Sequence, residues 1–288
     1  MTYFRPITAT VVAISLLLLG GCNTPDTISQ FCGASITTLN AANAVFDDMK
    51  QSCLREVNSR QELGTFKPPL QSDTNCTAIG TQVEGAKAAA QLVSGWFTVI
   101  NSLASFNTAK TGTDAGALAT QTSAAFGAGS DVQNAVGSIV TAIASALTSG
   151  YQQRQLARDL PAVSGNITTV MNGLVKVIRD DYIGRLLASE EQKLADQYQG
   201  FVQTNSRDKP ISPDLKLALY DRWQTQEAAI AAKRVSARNL ISGLHAISQG
   251  LAELSANANK LTAKELPGLL APYVSEIQAL IPVIQKAF

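Results

Sequence analysis

Few side chains in this 288-residue chain could do chemistry by their type and spacing. The single histidine, His245, follows Leu244 of a helical apolar repeat and so falls on its outward side. One imidazole cannot build a histidine metal site or a His-based acid–base pair. Asp180-Asp181 and Glu190-Glu191 are adjacent carboxylates. Neighbouring residues on a helix diverge by about 100°, so each pair spreads rather than converges on a substrate. A cation site there needs ligands from another helix. Lys233, Arg234 and Arg238 make a small basic group, expected on a solvated helix face. No Gly-x-Ser-x-Gly turn, no glycine-rich phosphate loop after a strand and no nucleophile with an identifiable base are present. The expectation is no enzyme activity, no metal and no cofactor.

Three cysteines of the body of the chain, Cys32, Cys53 and Cys76, have no Cys-x-x-Cys spacing. On one helix over 34–58, Cys32 and Cys53 stand about 30 Å apart, too far to bond. Cys53 near the helix end and Cys76 beyond the following loop are the best-placed pair. The alternative is three buried thiols.

The elements that carry these residues are helical by periodicity. Ile36, Leu39, Phe46, Met49, Cys53 and Val57 repeat at three or four residues over 34–58. Residues 59–77 read as a loop by composition, with Gly64, Pro68, Pro69, Asp73 and Asn75. A second helix over 79–107 carries Val83, Leu92, Trp96, Val99, Ile100, Leu103 and Phe106. Residues 108–129, small and glycine-rich, read as a crossover or a weak helix. Ser130 with Gln133 forms a capping box before Val132, Val136, Ile139, Ile143 and Leu147. Pro161 predicts a kink or a break. Ile167, Val170, Leu174, Ile178, Tyr182 and Leu186 then continue to about Gln203. Ser212-Pro213 reads as N-cap and first helical residue.

A seven-residue repeat follows, with Trp223, Ile230, Ala237, Leu244, Leu251 and Ala258 in one register and Leu240, Ile247, Leu254 and Leu261 in the other. Thr262 with Glu265 forms a second capping box, before a last helix bent by Pro267, Pro272 and Pro282. No strand-like alternation competes. The expected fold is all-α: one elongated, mostly antiparallel helical bundle with long coiled-coil-like helices over 31–288.

The first residues carry a different signal. Arg5 precedes an uncharged apolar stretch from Ile7 to Leu19, followed by Leu19-Gly20-Gly21-Cys22. The stretch is short for a bilayer span, which takes about 20 residues, and reads as a signal peptide over 1–21. Its ending resembles the lipobox of bacterial lipoproteins. The resemblance covers residues 1–22. It implies that Cys22 becomes the acylated first residue of a 267-residue mature chain. Asn23, where enteric lipoproteins kept in the inner membrane carry Asp, implies the outer membrane. Residues 22–30 are the expected lipidated tether.

Charge is unevenly spread. There are 23 basic and 22 acidic residues, 16% charged overall, against about 25% in ordinary soluble domains. Near-neutrality excludes a basic stripe for nucleic acid. Residues 88–153 contain only Lys110, Asp114 and Asp131, whereas 154–288 contain 29 charges. Ala88–Ala109 and Val132–Gln153 are each uncharged and long enough to cross a bilayer. Both are amphipathic, with scattered Gln, Asn, Ser and Thr, so helices of a core or interface are the leading expectation. A contact surface around Trp96, Ile100 and Ile143 and a membrane-inserting or pore-forming hairpin are the alternatives. The functional expectation is a lipid-anchored, periplasm-facing envelope lipoprotein of the outer membrane. It would act without catalysis by binding or spacing a protein partner.

Overall fold

The computed structural model describes residues 24–59, 73–104, 115–126, 131–148, 153–208, 211–258 and 266–288. Regular structure among them is entirely helical. In chain order it comprises α1 (Thr24–Ser59), a 3-10 turn (Thr74–Cys76), α2 (Thr77–Ala104), α3 (Ala115–Phe126), α4 (Asp131–Thr148), α5 (Gln153–Lys176), a π-helical segment (Val177–Leu187), α6 (Ala188–Asp208), α7 (Pro213–Ala256) and α8 (Leu266–Gln285). Helix α1 packs on α2 and α8, α3 closes on α2, and α5 lies between α4 and α7. Their apolar stripes meet in one continuous core that includes Phe31, Phe46, Trp96, Ile139, Leu174, Leu244 and Ile277.

Helix α1 begins before the expected tether ends. Pro25 falls in its first turn, where a missing N–H costs no helical bond. Ile28 and Phe31 are buried, so apolar contact holds the start of the helix to the core. The weak segment forms α3, and close approach explains why. A Cβ built on Gly85 of α2 would stand 2.8 Å from Ala125 Cβ, so only glycine lets α3 settle there. Pro161 does not break the chain. Helix α5 runs through it with the proline exposed, a place where water can satisfy the carbonyl it leaves without a partner. Pro272 and Pro282 likewise lie within α8.

Helix α7 starts as its sequence indicates. Ser212 is extended, its hydroxyl accepts from the Leu215 N–H at 3.3 Å, and Pro213 follows at the first helical position. The seven-residue repeat is buried from Ile230 onward in both registers: Ala237, Leu244 and Leu251 in one, Leu240, Ile247 and Leu254 in the other. Ahead of it, Trp223 is only half-buried. The capping residues Ser130, Thr262 and Glu265 lie outside the described residues.

The π-helical segment is the principal departure from expectation. Val170, Leu174, Ile178, Tyr182 and Leu186 all face the core, and they are spaced four apart without exception. In an α-helix four residues overshoot one turn by about 40°. Four such steps would carry Leu186 about 160° away from Val170. Bonding from i to i+5 over Val177–Leu187 underwinds the chain and keeps the row on one face.

Candidate functional site

That underwinding delivers a polar cluster into the seam between α1, the π segment, α6 and α7. Asp48 of α1 is its centre. Arg55, nearly two turns further along α1, reaches back to it, donating from Nη1 to Oδ1 and from Nη2 to Oδ2, both at 2.9 Å. Tyr182 of the π segment donates its hydroxyl to Oδ2 at 2.6 Å. Lys233 of α7 brings Nζ to 3.0 Å from Oδ1. The other edge of the Arg55 guanidinium meets Glu190 of α6, with Nε 2.6 Å from Oε1 and Nη2 3.1 Å from Oε2. Ser52 donates to the same carboxylate at 2.6 Å. The Asp48 and Glu190 side chains are each only 11% exposed.

Two carboxylates and two cations balance within this cluster. Burial by itself works to raise the Asp48 carboxyl. The hydrogen bonds from Arg55 and Tyr182, with the charges of Arg55 and Lys233, outweigh burial and hold it below the usual carboxylate range. Burial, reinforced by the Asp48 charge, pushes the Tyr182 phenol up, so it stays a neutral donor. Burial disfavours the Arg55 charge, but Glu190 and Asp48 together more than restore it. Asp48 and Arg55 thus hold each other charged, and Asp48 holds the Tyr182 phenol neutral. The chemistry available to such a set is mutual clamping of three chain segments.

The basic group on α7 is therefore a plain solvated face only at exposed Arg238, because Lys233 and Arg234 are partners of carboxylates across the seam. Lys233 serves Asp48, and Arg234 donates to Glu191 at 2.7 Å. Glu190 and Glu191 diverge to different cations, as adjacent helical residues must. Asp180 and Asp181 also part: Asp180 pairs with exposed Arg179, and Asp181 accepts from Gln82 of α2 at 2.8 Å. His245 is exposed. Among the described residues, no group of three or more His, Cys, Asp or Glu could hold a metal ion.

Cys53 and Cys76 are joined by a disulfide, with Cα atoms 5.9 Å apart. It ties the end of α1 to the 3-10 turn before α2. The carboxylate of Asp73 caps that turn, accepting from the Asn75 N–H at 2.7 Å. Cys32 is a free thiol in the core, and burial raises it far above the ordinary thiol range. Cys22 lies outside the described residues.

Trp96, Ile100 and Ile143 are interior, with at most 1% of each exposed. The expected contact surface around them is therefore corrected: these side chains are the apolar stripes of α2 and α4, and the core consumes them. What α4 and α5 turn outward instead is a shallow groove of about 560 Å³, edged by Asn134, Ser138, Thr141, Ser145 and Asn166. The charge deficit thus reflects small polar residues outside and apolar ones inside.

Sequence reading missed the polar cluster because its members lie in four separate elements. The one available signal was the run of four-residue steps from Val170, which extends through Glu190 to Leu194 and Tyr198. No protein family model, curated protein or solved structure matches the chain.

Proposed function

We propose that this chain is a bacterial envelope lipoprotein, anchored through acylated Cys22 and acting without catalysis as a structural or partner-binding component. The observation that carries the reading is the uncharged stretch Ile7–Leu19 set directly before Leu19-Gly20-Gly21-Cys22. Several acyl chains on one cysteine anchor stably, since each buried methylene contributes about 0.8 kcal/mol and one chain alone is marginal. A disulfide between Cys53 and Cys76 suits an exported chain. By the same resemblance Asn23 favours the outer membrane.

The body is an elongated helical bundle with a coiled-coil-like seam. Two contacts between α6 and α7 support this: Glu191 meets Arg234 while Tyr198 meets Gln226, so the partner number falls as the chain number rises. The two helices therefore run in opposite directions. Such a rod spaces or docks a protein partner of the envelope.

Feeding cells an alkyne palmitate analogue tests the anchor. The wild-type chain takes up label and sediments with outer-membrane fractions, and Cys22→Ala abolishes both. Unchanged labelling of Cys22→Ala would overturn the reading. Cross-linking the acylated protein in its own envelope tests the partner. Turnover of an envelope substrate by the mature domain would refute a non-catalytic role.

A further inference from the structure

Three helices keep a common register at one end of the molecule. A Cβ built on Gly250 of α7 would stand 2.8 Å from Phe31 Cζ of α1 and 3.2 Å from Tyr273 Cβ of α8. A Cβ on Gly243 would stand 3.1 Å from Thr38 Cγ2 and 3.9 Å from Leu280 Cδ1. Between these layers α1 and α8 each advance seven residues while α7 retreats seven. One more step of seven, in the other direction, reaches Thr24, Leu266 and Asn257. The first residue of α1 and the first residue of α8 therefore stand level, and Thr24 is two residues past Cys22.

At that level the start of α8 is apolar, although Asp26 lies in the first turn of α1 and Lys264-Glu265 directly precede Leu266. Leu266-Pro267-Gly268-Leu269-Leu270-Ala271-Pro272 carries no charge. Leu269 is 39% exposed, while Leu270 is buried. Helix α8 is long and apolar enough to cross a membrane, with a mean hydropathy of 1.3 over Pro267–Gln285. Yet Leu270, Val274, Ile277 and Ile284 are spent on the core, and Glu276 is exposed partway along the helix. Its first two turns expose Gly268, Leu269, Ala271 and Pro272 without a charge, and beyond Glu276 the helix again turns uncharged residues outward, Val283 among them.

We propose that this end of the molecule docks on the lipid surface, with Leu269 and the Leu266–Pro272 turn seated at the headgroup level. The proposal rests on acylation of Cys22, which leaves no slack: a helix that starts two residues after the anchor holds its own end against the bilayer. Val283 lies 14 residues beyond Leu269, about 21 Å further along the axis, and stands clear of the lipid. Leu217, 61% exposed near the start of α7, belongs to the opposite end. From Gly250 to Leu217 is 33 residues, about 50 Å of helix.

The test uses the acylated full chain in phosphatidylethanolamine/phosphatidylglycerol vesicles containing a headgroup nitroxide lipid. A fluorophore is placed in turn on Leu269→Cys, Val283→Cys and Leu217→Cys. Cys32 is buried and the other two described cysteines are bonded together, so the new thiol takes the label. The expected result is at least a twofold loss of emission at 269 and under 10% loss at 283 and 217. Flotation with the vesicles but no quenching at 269 would overturn the docking and leave the anchor intact. Quenching at both 269 and 283 would show α8 lying in or across the bilayer and would overturn end-on contact. Failure to float, checked against palmitate labelling of the same sample, would remove the anchor and the docking with it.

Discussion

Replacing Asp48 by Asn probes the polar seam with the least change of shape. The carboxylate takes two hydrogen bonds from Arg55, one from Tyr182 and the ammonium of Lys233. Asparagine keeps one acceptor and turns an NH2 group toward donors. Arg55 retains Glu190, but Lys233, whose side chain is 16% exposed, loses its carboxylate. Breaking one side of a buried ion pair costs about 3–5 kcal/mol. Arg55 is 34% exposed and partly rehydrated, so the lower end, about 3 kcal/mol, is expected. For a chain of this size that corresponds to a fall in Tm of about 6–12 °C.

The pH dependence gives a sharper check. The folded Asp48 carboxyl lies below its unfolded value of about 4. Its contribution is therefore complete above about pH 4 and disappears as pH falls through the lowered folded value. Urea unfolding of wild type and Asp48→Asn, followed by circular dichroism from pH 7 to pH 2.5, measures both quantities. The gap between the two proteins should be widest at neutral pH and close in acid. A gap below about 1 kcal/mol at pH 7, or one that stays constant into acid, would refute a seam held by the Asp48 charge.

The disulfide closes a loop 23 residues apart in sequence. Cys53→Ala/Cys76→Ala should therefore lose about 3 kcal/mol by denaturant unfolding under oxidising conditions. Under strong reductant the double variant and wild type should differ little. Thr38 is fully buried, and its hydroxyl oxygen has no partner among the described residues. Thr38→Val keeps the shape and removes that cost, so its urea midpoint should rise, by about 1 kcal/mol in stability.

The secondary structure was legible wherever a local repeat wrote it. The seven-residue rows of α7, the Ser212-Pro213 start and the absence of strands among the described residues all follow from side-chain order alone. The π segment shows the limit of that reading. Its apolar residues look like a continuing helix, and only their strict spacing of four, against a helical turn of about 3.6 residues, betrays the underwinding.

Pro161 and the 108–129 stretch mark the same boundary. Composition predicted a kink or break at Pro161 and left a crossover or a weak helix open over 108–129, of which Ala115–Phe126 is helix. Gly85 admits α3, and solvent accommodates the proline. Trp96, Ile100 and Ile143 belong to stripes that local order identifies, but whether a stripe meets the core or a partner depends on what lies opposite. The polar seam could not be read from order, since Asp48, Tyr182, Glu190 and Lys233 lie in four separate elements.

By itself, then, the order of residues determined the helices, the pairing favoured for Cys53 and Cys76, and an uncharged leader ending in Leu-Gly-Gly-Cys. Each is a local matter of period, spacing or composition. Tertiary structure alone decided that Lys233 and Arg234 neutralise acids rather than face water, that Trp96 is core, and that α1 and α8 begin at one level. Those outcomes depend on which faces meet across the core, and a helix carries no record of its partner's face except through packing.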